Sequence, residues 1–205
     1  MDFDLIIALR IKGFAKPAAI CETAGITSEQ AQAQLESLIA QGWGEETRMG
    51  VRLTTAGKSE AQRRIGLERG RADPEQLEAL YQRFCGLNDA FKSLVTDWQM
   101  RNVDGRTVVN DHKDAAHDQA VMGRLDDVHP RMLQLIAELK AAVPRLSGYA
   151  RRFDAALQRL RQAEVRYLAA PIIDSYHTIW FELHQDLIQV CGLNRADEAA
   201  AGRAQ

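Results

Sequence analysis

Residues 73–100 constrain the fold more than any other stretch. Asp73, Pro74 and Glu75 read as a helix start, with an aspartate to cap the first free N–H groups, a proline at the first helical position and an acid in the first turn. Leu77, Leu80, Tyr81, Phe84, Leu87, Phe91, Leu94, Val95 and Trp98 then recur at spacings of three and four, so they share one face, with an interruption expected near Gly86. That face is core, and Arg101 extends it by one further step. Asp104-Gly105 turns the chain back, and helical spacing resumes over 108–125, again from His129-Pro130 to Pro144, over 149–160, and over 174–187 after a helix-opening Pro171. Residues 71–194 are therefore expected to be an all-helical ligand-binding domain, and the small, charged residues 195–205 a disordered tail.

The N-terminal third has a different texture. Helical spacing over 3–14 ends at Gly13, and a second short helix over 16–23 carries Pro17 in its opening turn. Thr27 and Ser28 with Glu29 and Gln30 read as the cap of a third helix, which ends at Gly42. Residues 44–54 alternate around Met49-Gly50 as a hairpin, and Thr55 opens a fourth helix. Helix, helix, helix, two-stranded hairpin, helix is the order of a winged helix-turn-helix, and residues 3–69 resemble the DNA-binding cores of MarR-like and PadR-like regulators, down to the LTTAGK that follows the wing. The expected fold is mainly α: a winged helix-turn-helix over 1–70 with a two-stranded wing, then the helical domain. As a DNA reader the third helix would present Gln30, Gln32 and Gln34 to bases, with Arg48 and Arg52 of the wing on the backbone or minor groove. No Lys or Arg lies between Lys16 and Arg48, which runs against the phosphate attraction that dominates DNA affinity, so docking or dimerisation suits this unit better.

Composition narrows the function classes. The 205 residues are 46% hydrophobic with a formal charge of -2, which gives no global attraction to nucleic acid or to an anionic membrane. Cys21, Cys85 and Cys191 are far apart and odd in number, supporting neither a disulfide framework nor a zinc site. No apolar run approaches a membrane span and no leader opens the chain, so a cytoplasmic location without membrane contact is expected. Nucleotide loops, nucleophile elbows and the common metal motifs are absent, so this chain is expected to hold no metal or cofactor itself.

Two stretches carry chemistry. On a helix over 174–187, Asp174, His177, Phe181 and His184 share a face beside a large apolar stripe containing Tyr176 and Trp180, which leaves them either satisfied core residues or a site. On a helix over 108–125, Asn110, Asp114 and either His117 or Asp118 form the polar half of one face, as where a helix end lines a pocket; a solvated, acid-rich first turn explains the acids equally. Histidines, carboxylates, Arg101 and aromatics from three helices suit a small aromatic pocket with an acid–base histidine, an orienting carboxylate and an arginine for a charged oxygen.

The motifs DWQMR, NDHKDAAHD, LDDVHPR and DSYHTIWFELHQDL resemble those of small subunits that accompany truncated relatives of pyruvate phosphate dikinase, such as 4-hydroxyacetophenone dikinase. The resemblance implies a large partner subunit with an ATP-grasp domain and a swivelling phosphohistidine domain, with ATP and Mg on that partner. This chain would then supply the site for a small aromatic hydroxyl acceptor. It makes His129, His177 and His184 candidate general bases, Asp118, Asp174 and Glu182 their orienters, Arg101 a phosphate contact, and Trp98, Tyr176, Trp180 and Phe181 the pocket walls. The rival expectation is a homodimeric winged-helix transcription regulator that binds DNA and senses an aromatic ligand.

Overall fold

The computed structural model describes residues 3–202. Asp4 opens α1 (Leu5–Lys12) by accepting from the backbone N–H groups of Ile6 and Ile7, and Gly13 closes it. α2 (Pro17–Ala24) stops at left-handed Gly25, and α3 (Ser28–Ala40) begins with a reciprocal capping box between Thr27 and Gln30. β1 (Phe14–Ala15), β2 (Gly44–Thr47) and β3 (Gly50–Leu53) form an antiparallel sheet in the order β1-β3-β2, with Thr47 opposite Gly50. Gly50 is required at that turn, because at φ +130° a Cβ would lie 2.5 Å from the Ala15 carbonyl oxygen. α4 (Thr55–Arg69) completes the N-terminal unit.

α5 (Pro74–Gln99) runs through Gly86 without the expected interruption. One glycine costs a helix about 1 kcal/mol, which is small beside the burial of a stripe from Leu77 to Trp98. The chain then departs from the helix expected over 108–125. β4 (Met100–Val103) and β5 (Arg106–Val109) form a two-stranded ribbon around Asp104-Gly105, and α6 (Ala115–Ala142) starts only after Asp114, which caps it. β-branched Thr107, Val108 and Val109 next to a tight turn pair more readily than they coil. Asn110, Asp114 and Asp118 consequently share no helical face.

Pro130 does not start a helix either; it lies exposed inside α6. Only one ladder hydrogen bond, to the Asp126 carbonyl, is lost, while Val121, Leu125, Val128, Met132, Leu135 and Leu139 hold a continuous buried stripe on both sides of it. A 3-10 turn (Pro144–Ser147) leads into α7 (Gly148–Arg161). α8 (Tyr176–Val190) begins at its Ser175 cap rather than at Pro171, so Asp174 precedes the helix. The expected disordered tail is corrected in part: 195–200 form α9 (Arg195–Ala200), capped by Asn194, because the buried Glu198 carboxylate accepts from the Tyr81 hydroxyl at 2.6 Å. Residues 203–205 of that expected tail lie outside the described residues.

The molecule is mainly helical with a small antiparallel sheet. α8 is its central element, touched by α1 and α4 from one side and by α5 and α7 from the other, while α5 and α6 pair along their length. One hydrophobic core therefore runs from Ile6 and Leu9 through Phe84, Phe91 and Trp180 to Leu135. Among the described residues no helix is long and apolar enough to cross a membrane.

Candidate functional site

The residues expected to form one aromatic pocket separate into distinct neighbourhoods. Tyr176 and Trp180 are filled core: Trp180 stacks on Phe91 with 4.1 Å between ring centroids and donates to Asn88, and Tyr176 packs on Phe153. Phe181 points outward beneath the Arg195 guanidinium, 4.7 Å away. His177 is exposed at the edge of Phe91, 6.1 Å between rings. His129 is buried with both ring nitrogens engaged, Nδ1 with the Tyr176 hydroxyl and Nε2 with Asp154, each at 3.1 Å. His184 is buried against Phe84 and Tyr81, and burial, reinforced by Arg195, lowers its pKa to about 4. A histidine so placed is a neutral core residue near pH 7.

The two acids named beside them serve a different structure. Asp174 takes a bidentate pair from Arg152 (2.7 and 2.8 Å), and Glu182 bridges Arg152 and Lys12 at 2.7 Å each. Burial pushes the Asp174 carboxyl up, but Arg152 outweighs it and leaves the group below its usual range. Alongside, Arg145 bonds Glu68 and Asp186, 2.9 Å to each, and Tyr149 donates to Asp186. Lys12 of α1 and Glu68 of α4 thus reach across to α7, α8 and the turn between α6 and α7. This network ties the N-terminal unit to the helical part.

The residues expected to read DNA are largely committed elsewhere. Gln30 closes the α3 capping box, Gln32 donates to Glu36, and Gln34 borders a cavity facing α7 and α8. Arg52 pairs with Glu45 at 2.7 Å; Arg48 is exposed, across a groove from Lys58.

One neighbourhood does converge. At the base of the β4–β5 ribbon, Trp98 and Arg101 meet the segment from Asn110 to Asp118. Asn110 is buried, and its side-chain N–H groups donate to the Trp98 carbonyl (3.0 Å) and to Asp118 (2.8 Å), while its Oδ1 accepts the His112 backbone N–H. Those bonds hold His112 in a left-handed backbone conformation, φ +54°. Its ring lies 4.4 Å from that of Trp98, and its Nδ1 stands 3.1 Å from Asp118 Oδ2. Nδ1 also lies 3.3 Å from Asn110 Nδ2, but both Asn110 protons are given to Trp98 and Asp118, and a carboxylate only accepts; the proton is therefore assigned to Nδ1, leaving Nε2 as the basic nitrogen, without a protein partner among the described residues. Beside it Arg101 donates to Asp111 at 3.0 Å and lies 3.7 Å from Asp114, while its buried Nε has no partner among the described residues. The Lys113 backbone N–H, then Arg101, hold the Asp111 carboxyl below its usual range. His117 anchors this end by donating from Nε2 to the Asp97 carbonyl at 2.7 Å.

Trp98, Arg101, Asn110, Asp114 and Asp118 are thus brought together with His112, the residue that helical spacing passes over. A histidine oriented by a carboxylate, next to an aromatic face and an arginine, can take a proton from a hydroxyl group and hold a charged oxygen. Among the described residues no three His, Cys, Asp or Glu side chains gather as a metal site. Comparison of the chain with protein-family models, with curated proteins and with solved structures finds no match.

Proposed function

We propose that this chain is the acceptor-binding small subunit of an ATP-dependent, dikinase-like phosphotransferase, with the acceptor at the base of the β4–β5 ribbon. The observation that carries the reading is the open His112–Asp118 pair beside Trp98 and Arg101. A small phenol would lie beside the His112 ring, which Trp98 backs from the core, and give its proton to His112 Nε2, with Asp118 steadying the imidazolium. The phenolate oxygen would bond the phosphorus of a phosphohistidine brought by the partner subunit as the P–N bond breaks. Arg101 would meet the phosphoryl oxygens, and the proton on His112 would leave to the departing imidazole or to water. The N-terminal unit, read as a winged helix-turn-helix, would dock rather than read DNA, since α3 carries no basic side chain and its Gln34 faces inward.

The test is to purify the tagged chain from its native cytoplasm with whatever ATP-grasp and phosphohistidine protein accompanies it, and to assay ATP-dependent formation of aryl phosphate. His112→Ala is expected to lower turnover by about 10²–10⁴-fold with the fold intact, whereas His177→Ala leaves it within a few-fold. Full turnover in His112→Ala would remove the proposed base. Exposed Arg48 and Lys58 favour the regulator as a second reading, and recovery of specific DNA fragments in place of such a partner would decide for it.

A further inference from the structure

A cavity of about 490 Å³ opens between the N-terminal unit and the helical part, away from the His112 site. Phe3, Ile11 and Ile26 give it an apolar side, while Tyr149, Arg152 and Glu182 form its polar side. Its size and its place at the junction of two units are those of small-molecule sites.

The charges on its walls specify what fits. Asp4, Glu182 and Asp186 face Arg145, Arg151 and Arg152, three of each sign. Every one is already engaged: Asp4 with Arg64, Arg145 with Glu68 and Asp186, Arg152 with Asp174 and Glu182, and Arg151 with the Glu22 and Thr23 carbonyls. Arg151 lies at the exposed rim and bonds only carbonyls; deeper in, an ion would have to pull apart a buried pair at Arg145 or Arg152 to find a counter-charge, which is strongly unfavourable. Uncommitted hydrogen-bonding capacity is of a neutral kind. The Gln34 amide has no partner among the described residues, and the Tyr149 oxygen, having donated its proton to Asp186, keeps lone pairs to accept from a hydroxyl.

We infer that this cavity is a second ligand site, for a small uncharged amphipathic molecule: a phenol, an aryl ketone or an alcohol whose apolar body lies on Phe3, Ile11 and Ile26 and whose oxygen meets Gln34 and Tyr149. The assignment stands independently of phosphoryl transfer at His112. Because both units line the cavity, an occupant holds them together and stabilises the folded chain.

Calorimetric titration and thermal melting of the full chain test this, with phenol, benzyl alcohol and 4-hydroxyacetophenone set against benzoate and benzylammonium in mildly acidic buffer. At least one neutral compound is expected to bind saturably and to raise the melting temperature by a few degrees, and neither ion to do so. Ala8→Phe fills the cavity from α1 and abolishes binding, Gln34→Ala weakens it by about tenfold for one lost hydrogen bond, and His112→Ala leaves it unchanged. Failure of all three neutral compounds to bind, equal binding of an ion, or undiminished binding to both Ala8→Phe and Gln34→Ala overturns the assignment.

Discussion

His112 and Ile172 hold backbone conformations that L side chains rarely adopt, at φ +54° and +75°. At His112 the cost is offset by the hydrogen bond from its own N–H to Asn110 and by the contact of Nδ1 with Asp118. Ile172 has no such compensation: it is β-branched and 94% exposed. Ile172→Asn, which tolerates the left-handed region without glycine's entropy cost, is expected to raise stability by about 0.5–1 kcal/mol in urea unfolding; an unchanged midpoint would show the strain to be relieved locally. The two residues also show where sequence reading loses resolution. Asn110-Asp111-His112-Lys113-Asp114 has the composition of a turn ending in an N-cap, and that was the available signal for His112. Helical spacing continuing on either side masks it, because Val121 and Leu125 lie in phase with residues that belong to no helix.

At the scale of elements, ends set by neighbouring residues are legible in sequence. The caps at Thr27 and Asp73, the stops at Gly13 and Gly25 and the Met49-Gly50 turn all lie where local chemistry puts them. Ends set by packing are not, which is why α6 passes through Pro130; at α8 two local signals compete, and the Ser175 cap prevails over Pro171. α8 also carries a pH dependence. The folded His184 pKa is depressed from 6.5 to about 4, chiefly by burial, and that of His177 is lowered in the same sense. As pH falls below 6.5 the unfolded chain binds a proton that folded His184 refuses until about 4. Stability present above 6.5 is therefore lost across that window, by on the order of 2 kcal/mol after allowance for solvent screening. His184→Gln should shrink the fall in urea midpoint over this range; an identical pH profile would show that His184 is not its source.

Across the whole molecule, the ion network between the two units is invisible to sequence reading, because Lys12 and Glu182, or Arg145 and Glu68, are joined only by the finished fold. Glu182 enters the sequence reading only through the resemblance and Asp186 does not enter it, so neither residue's partners are named there. Removing one member leaves its buried neighbours short of one partner. Asp186→Ala takes the more buried of the two carboxylates from Arg145, which keeps Glu68, and leaves the Tyr149 hydroxyl without its acceptor; with Asp186 itself 1% exposed, it should cost about 3–5 kcal/mol. Chemical unfolding followed by tryptophan fluorescence (Trp43 in the N-terminal unit, Trp98 and Trp180 beyond it) should show one shifted transition. Two separate transitions would show that the network does not couple the units.

The continuous core has a consequence for inheritance. Leu9 is fully buried, and α1 and α4 rest directly on α8. Cutting the gene between codons 70 and 71 would leave two products, each with a raw apolar face and half of a charge network. An N-terminal unit of this kind cannot be traded between proteins as a ready-made cassette. A lineage that changes Lys12 or Glu68 must change α7 or α8 with it, so the two parts have to be inherited as a single piece.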